Sequence, residues 1–540
     1  MKTQAESKLV PASPKRGLGR RIFRGCAIGC AGVLALFIAF VILLILFLGK
    51  VPKSYTSASR PIPTASIQTN LGGGLDGFSS PYLGHTGSWD GKGGALFGGS
   101  KIPDLDRERA MGLRWTFMPV YWRAMEPDGP ADLTHEEPSA WKALDAFVIA
   151  AHARGLNVLM QAPVVGGNAG GPPAWAGRRE KGKSAPANMH ALAEFAGKLA
   201  ARYRPGGTLA QRQGWGARYG IRAWELDNEP ESYLTHWSGQ AADYAEFLTF
   251  ASAQIKAADP QAVIVGPGLA AGKQGMLWLD AALDATAMLG SPIFRAQGKP
   301  YSIGPALNVV SIHNYEGLDS AFSGGSRTIE RVLDDVSAVF EKWEQRTPGF
   351  TYARKQDYWH TEGNFDFVGI LSSERRAAWR FQFFTRAFAA GIRKVVVMDA
   401  SSREQTAVRA YVNALPNPFP MLEASNKIVV VQGHVAAFLH PDSQAKDGGQ
   451  VWVLWTLADT GDATVEVPVR RGRVEVIAAD GRVETLAAAG QRVRLHLKGD
   501  AKMPVPVLLI DRPDGRVVWR ADSGAELMGL PESLIRELKS

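Results

Sequence analysis

The sequence predicts an α/β chain built on a (β/α)8 TIM barrel, with a C-terminal all-β sandwich and an N-terminal transmembrane helix. Three features point there. A run of 25 uncharged, mostly apolar residues spans Gly25 to Gly49. Eight short β-rich runs alternate with helical segments between residues 65 and 399. After Pro416 the pattern changes to short alternating strands separated by turns. Read in order, the chain divides into a basic tail (1–24), a membrane helix (25–49), a linker (50–65), the barrel (66–415) and the sandwich (416–540).

The apolar run is long enough to span a bilayer. At about 1.5 Å of rise per residue it exceeds a hydrocarbon core of about 30 Å. It is also longer than the core of a secretory signal, about 7–15 residues. Basic residues cluster from Lys15 to Arg24, immediately before it. Positive charge stays on the cytoplasmic side, so residues 1–24 are expected in the cytoplasm and the remainder in the periplasm or outside the cell. The expectation is a single-pass inner-membrane protein whose partner through residues 25–49 is the lipid bilayer. The Ser/Thr/Pro-rich stretch after it reads as a tether.

The net charge of +9 belongs to this N-terminal segment. Residues 1–60 hold ten basic residues and one acid, which leaves 51 of each sign in the rest of the chain. A nucleic-acid-binding domain keeps its basic excess on the folded part, so no nucleic-acid partner is expected. Both cysteines, Cys26 and Cys30, lie in the apolar run, so no disulfide or thiolate chemistry is available beyond it. The chain has no His-Glu-x-x-His, Gly-x-Ser-x-Gly or phosphate-loop motif. No cofactor and no metal is expected.

The strands expected in the barrel are Ala65–Asn70, Arg114–Val120, Asn157–Gln161, Ile221–Asp227, Ala262–Gly266, Val309–Asn314, Tyr358–Glu362 and Lys394–Asp399. Helices are expected over Ser139–Arg154, Ala187–Tyr203, Trp237–Ala258, Ile329–Thr347 and Glu374–Ala390. Arg154-Gly155 and Ala390-Gly391 give the helix-stop signal of a βα unit. Farther on, runs such as VWVLWTL and RVRLHL separated by Asp480-Gly481 and similar turns read as an antiparallel sandwich, chiefly a rigid support for the barrel.

Two segments carry the chemistry. In Ile221–Glu231 a strand runs into Asn228-Glu229-Pro230, and in Tyr358–Phe365 another runs into Glu362-Gly363. The C-terminal ends of barrel strands hold the active site. Two glutamates there supply what glycosidic cleavage needs: an acid for the leaving oxygen, and a carboxylate that attacks the sugar or activates water. Two such groups in proximity raise each other's cost of ionisation. His313 and Tyr315, two apart in SIHNY, share one side of a strand and are placed to hold the attacking carboxylate. Trp122, Trp175 and Trp359 are candidate sugar platforms, with Trp122 and Trp175 in loops. The Gly/Pro-rich segment from Pro163 to Pro186 is long enough to shape a cleft.

The segments WELDNEP and HTEGN resemble the strand-four and strand-seven motifs of the clan A retaining glycoside hydrolases, and SIHNY resembles their strand-six His-x-Tyr. The likeness covers about residues 66–410, and the β-domain behind the barrel makes the chain most similar to glycoside hydrolase family 39 and to secreted or anchored glycosidases associated with bacterial exopolysaccharide. The resemblance implies that Glu229 is the acid/base, Glu362 the nucleophile and Asn228 a ligand of the sugar 2-hydroxyl. It also implies that Arg114 in GLRW supports the nucleophile. Double displacement on a β-linked extracellular or periplasmic polysaccharide or oligosaccharide is the activity it implies. Two other readings stay open: a transglycosylase using the same glutamates, and a non-catalytic glycan-binding component of polysaccharide export machinery.

Overall fold

The computed structural model describes residues 80–85, 104–133, 137–166, 171–179, 185–231, 240–270, 272–284, 303–316, 328–346, 357–364, 371–398, 400–441, 449–457, 461–500 and 503–512. The expected basic tail, membrane helix, linker and first strand Ala65–Asn70 lie outside these residues. Among the described residues no helix is long and apolar enough to cross a membrane.

Eight parallel strands close a barrel in chain order. They are β1 (Tyr82–His85), β2 (Trp115–Tyr121), β3 (Asn157–Val164), β4 (Ala223–Glu225), β5 (Val263–Ala270), β6 (Val309–His313), β7 (Asp357–Glu362) and β8 (Ile392–Met398). Closure comes from β1 pairing with β8 at Leu83–Val396 and with β2 at Leu83–Trp115. The sequence reading missed Tyr82–His85 because only four residues, YLGH, carry the strand and no alternating pattern extends it.

A helix follows each strand: α1 (Leu105–Ala110), α2 (Ser139–Ala153), α3 (Met189–Tyr203), α4 (Ala241–Ala258), α5 (Lys273–Leu283), α6 (Ile329–Arg346), α7 (Ser373–Ala390) and α8 (Ser402–Ala414). Their ends follow from local chemistry. Ser372 accepts a hydrogen bond from the Arg375 amide at the start of α7, and Gly391 stops that helix in the left-handed conformation at φ 103°. Ser401 and Glu404 form a reciprocal capping box on α8. In α6 the buried residues Ile329, Val332, Leu333, Val336, Phe340 and Trp343 form one helical stripe against the barrel.

Alternation along the strands sorts side chains between two layers. Leu83, Trp115, Phe117, Leu159, Ala223, Val263, Val265, Val309, Trp359 and Val396 form a separate apolar cluster inside the barrel. Their neighbours, such as Met118, Trp224, Ile264 and Val310, face the helices. One cation is built into the inner layer. The Lys394 ammonium lies 4.1 Å from the Trp115 ring centre and 4.9 Å from that of Trp359, and it donates to the Ser80 carbonyl. Burial holds its pKa well below the ordinary lysine value.

The C-terminal region consists of two antiparallel sheets. One has the order β10 (Val429–Gln432), β13 (Ala463–Pro468), β16 (Arg492–Leu497). The other has the order β15 (Val483–Ala487), β14 (Arg473–Ala478), β17 (Val507–Asp511), β12 (Gln450–Thr456), β11 (Val435–Pro441), β9 (Leu422–Glu423). In β12, Trp452 and Leu454 join Val465, Val467, Val493 and Leu495 in a core shared by the two sheets. The alternate residues Val451, Val453 and Trp455 belong to the barrel's own core. The six-stranded sheet is therefore buried on both faces at its centre.

Replacing Trp455 by Ala tests this double burial. The indole is fully buried and stacks on Phe438 at 5.2 Å, so its loss should cost about 3–5 kcal/mol in denaturant unfolding. A cost below about 1 kcal/mol would show that this face is not core.

Candidate active site

The C-terminal ends of β4, β6 and β7 converge on three side chains. His313 Nδ1 lies 2.8 Å from Glu229 Oε1 and 3.7 Å from Glu362 Oε2. The Tyr315 hydroxyl donates to Glu362 Oε1. One atom from each of Glu229, His313 and Glu362 falls within a 4.8 Å set. The side chains of Glu229 and Glu362 keep 11% and 18% exposure, so both carboxylates remain open to the mouth of the barrel.

The chain at Glu229 leaves the strand abruptly. Strand β4 ends at Glu225, and the turn beyond it holds Asp227 at φ 65° and Glu229 at φ 40°. These are the only non-glycine residues with positive φ among the described residues. Such strain persists only when the surroundings fix it. Here the Leu226 amide donates to the Val265 carbonyl, the Glu229 amide to the Gly268 carbonyl, and the Tyr244 hydroxyl of α4 to the Leu226 carbonyl. Asp227 Oδ1 accepts from its neighbour's amide at Asn228 and from the Val165 amide at the end of β3. A carboxylate thus does at 227 what an apolar side chain cannot: it ties two strand exits together.

Beneath the mouth is a polar shell that the sequence reading did not assign. Glu225 is fully buried and accepts from Gln161 Nε2 of β3 at 3.1 Å and from Thr361 Oγ1 of β7 at 2.8 Å. Gln161 also donates to Asn228 Oδ1 at 2.8 Å and fixes that amide. Glu231 is buried beside Glu229, and its Oε1 accepts from the Ala270 amide at 2.5 Å. The signal that could have found Glu225 is strand alternation: Ala223 is an inward residue, so the acid two positions later points inward too.

Burial and mutual repulsion decide the charges. Burial raises Glu225, and the nearby Glu362 raises it further, against the pull of His313 and the hydrogen bonds from Ser311 and Thr361. Burial and then the Glu229 carboxylate push Glu231 up to about 8. His313 is buried, which disfavours its cation, but Glu362, Glu229 and Glu225 together bring it up to about 9. His360, also buried, falls to about 3, with His313 and Arg380 opposing its charge.

The remaining sequence candidates are placed differently. Arg114 precedes the first residue of β2, so it stands at the N-terminal end of the barrel, away from the glutamates at the opposite end. Its expected support of the nucleophile is not met: that strand runs seven residues before it reaches the mouth. Trp359 lies three residues before Glu362 inside the barrel and packs on Trp115 at 5.9 Å, so it is core. Trp122 is fully buried, with its indole N–H donated to Glu126 Oε2 and its ring against Trp175 and Phe195. Neither ring is free to stack on a sugar. Trp175 is half-buried and donates to the Glu126 carbonyl at 2.8 Å. Asn228 is buried next to Glu229.

The cluster of Glu229, His313 and Glu362 also has the spacing to bridge a cation. Glu362 is engaged by Tyr315 and Glu229 by His313, an arrangement that orients two carboxylates for proton transfer and attack.

The titration of the shell has a measurable sign. Between its ordinary 4.5 and its folded value of about 8, Glu231 holds a proton that the unfolded chain has lost, so stability falls as pH rises through that window. His313, at about 9 against 6.5, acts in the same direction over its own window. Thermal unfolding of Glu231→Gln should therefore lose less Tm than the wild type between pH 5 and 8, by about a few degrees. Equal slopes would show that Glu231 ionises freely.

No protein-family description matches the chain, and no curated protein matches it. Solved structures do. A family 39 glycoside hydrolase from the gut symbiont Bacteroides cellulosilyticus WH2 is 14% identical with a TM-score of 0.53, over 80% of this chain and 81% of that one. A glucosidase from Croceicoccus marinus is 15% identical with a TM-score of 0.51, over 80% and 96%. A bifunctional glucanase-xylanase from a metagenome library is 14% identical with a TM-score of 0.50, over 82% and 97%. These neighbours carry different activities and do not single out family 39. What the chain shares with them is the fold.

Proposed function

We propose that this chain is a retaining glycoside hydrolase that cleaves β-linked glycan, held at the membrane by residues 25–49 with its barrel in the periplasm or outside the cell. The observation that carries the reading is the proximity of two carboxylates at one mouth, with oxygens inside a 4.8 Å set that also includes a histidine nitrogen. Retaining enzymes hold their carboxyl groups about 5–5.5 Å apart, and inverting ones about 6.5–9.5 Å to admit a water between them. The shared barrel fold supports the enzyme class, and the motif resemblance supports the division of roles.

In this reading Glu362 attacks the anomeric carbon through Oε2 while Tyr315 holds Oε1. The C–O bond to the leaving sugar breaks as Glu229 gives its proton to the bridging oxygen. A glycosyl ester on Glu362 results. Glu229, now a carboxylate, takes a proton from water, whose oxygen attacks the same carbon from the face that the leaving group vacated. The sugar departs with its anomeric configuration retained, and Glu362 is regenerated. Burial raises the cost of ionising Glu225 and Glu231 beneath, which limits the negative charge that the site accumulates. Asn228, oriented by Gln161, is placed to bind the hydroxyl next to the reacting carbon. The substrate class is a polysaccharide or oligosaccharide, with polysaccharide export machinery as a candidate partner.

Glu362→Gly should lower turnover at least about a thousandfold, roughly 4 kcal/mol of barrier, while thermal unfolding stays cooperative. Glu229→Ala should retain activity on aryl glycosides with good leaving groups, and azide should accelerate it. Product released by the wild type should carry the retained anomer by NMR, and a chelator should leave the rate unchanged. Wild-type turnover in Glu362→Gly would refute the assignment, and chelator-sensitive turnover would transfer the cluster to a metal-assisted reaction.

A further inference from the structure

The segment carrying Tyr315 is fastened from behind. Backbone hydrogen bonds from Asn314 N to Glu362 O and from Glu316 N to Asn364 O continue the pairing of the β6 and β7 exits on either side of Tyr315. Alternation then turns Tyr315 toward Glu362 and Glu316 the other way, toward helix α7. There the Glu316 carboxylate is buried and fully engaged. Oε2 accepts from the Trp379 indole at 3.0 Å and from Arg386 Nη2 at 2.5 Å. Oε1 accepts from Arg386 Nη1 at 3.2 Å and from the Ile329 amide at the start of α6 at 2.9 Å. Glu316, Trp379 and Arg386 are 7%, 2% and 1% exposed. The same guanidinium holds Glu330 of α6 at 3.0 Å.

A buried pair of this kind contributes little net stability against an apolar replacement of equal volume, but breaking one side strands a charge. Its geometric effect is specific: one carboxylate locks the strand exit to two helices, one residue from the phenol that meets Glu362. We propose that Glu316, clamped by Arg386 and Trp379, is a positioning residue that sets the Tyr315 hydroxyl on Glu362. This rests on the reading of Glu362 as the nucleophile.

The test is a double-mutant cycle with a spectroscopic arm. Glu316→Gln should lower kcat about tenfold with KM changed less than about twofold. In a Tyr315→Phe background the same change should cost less than about twofold, because its route to the nucleophile is gone. A second variant, Arg386→Met, releases Glu316 from the helix side and should show the same coupling to Tyr315. Glu330→Gln, which removes the arginine's other partner, should stay within about twofold of wild type. The spectroscopic arm places 3-fluorotyrosine at 315 and reads its fluorine resonance. Glu362→Ala gives the shift for a lost contact, and Glu316→Gln should move the resonance in the same direction. Equal losses in both backgrounds, or an unmoved resonance in both Glu316→Gln and Arg386→Met, would overturn the proposal. A moved resonance in a wild-type framework that turns over no glycoside would support the positioning role and sink the hydrolase reading instead.

Discussion

A single imidazole nitrogen organises the mouth of this barrel. His313 Nδ1 stands between Glu229 and Glu362, and it can do so only because β6 delivers its side chain inward at the level where β4 and β7 end. The space behind the ring is just as restricted. A Cβ on Gly268, which sits at φ 64°, would come within 3.1 Å of His313 Nε2. A Cβ on Gly363 would lie 2.1 Å from the Asn314 carbonyl oxygen. Two glycines at strand exits therefore let the backbone close around the histidine and the glutamate next to it.

The charges follow from crowding. Four carboxyl groups (Glu225, Glu229, Glu231, Glu362) meet one histidine in a partly desolvated space. Burial favours the proton on Glu225 and Glu231, the two held deepest. What remains at the mouth is the pair with access to solvent. The deeper acids act as hydrogen-bonded spacers: Glu225 joins β3, β4 and β7 through Gln161 and Thr361. The site is thus stiffened from beneath by buried, hydrogen-bonded acids, with its two solvent-accessible carboxylates at the rim.

Much of this was legible in the sequence because barrel strands have one direction. Acids that follow β-runs must emerge at the same end, which is why Glu229, Glu362, His313 and Tyr315 are found together. The same rule, applied strictly, would have excluded Arg114, which precedes its strand. The tryptophans were not legible, because an indole ring serves a core as well as a sugar. Trp122 and Trp359 went to the core, and only the fold around them decides that. Gln161, Thr361 and Glu231 were missed for a related reason: each is an ordinary polar residue until another strand supplies its partner, Glu225 for Gln161 and Thr361, and Ala270 for Glu231. The first barrel strand was missed because β1 is four residues long and borrows its definition from β2 and β8.

The six-stranded sheet has a consequence for how such a protein can change. Val451, Val453, Trp455, Leu508 and Ile510 join the core that the barrel's helices share, while their neighbours serve the second sheet. A shortened chain ending after α8 would leave α7 and α8 with a greasy wall facing water. Swapping or shedding the appended sheets is therefore not a modular operation, as it would be for a tethered sugar-binding domain on a flexible hinge; the two parts must mature, persist and fail as one body.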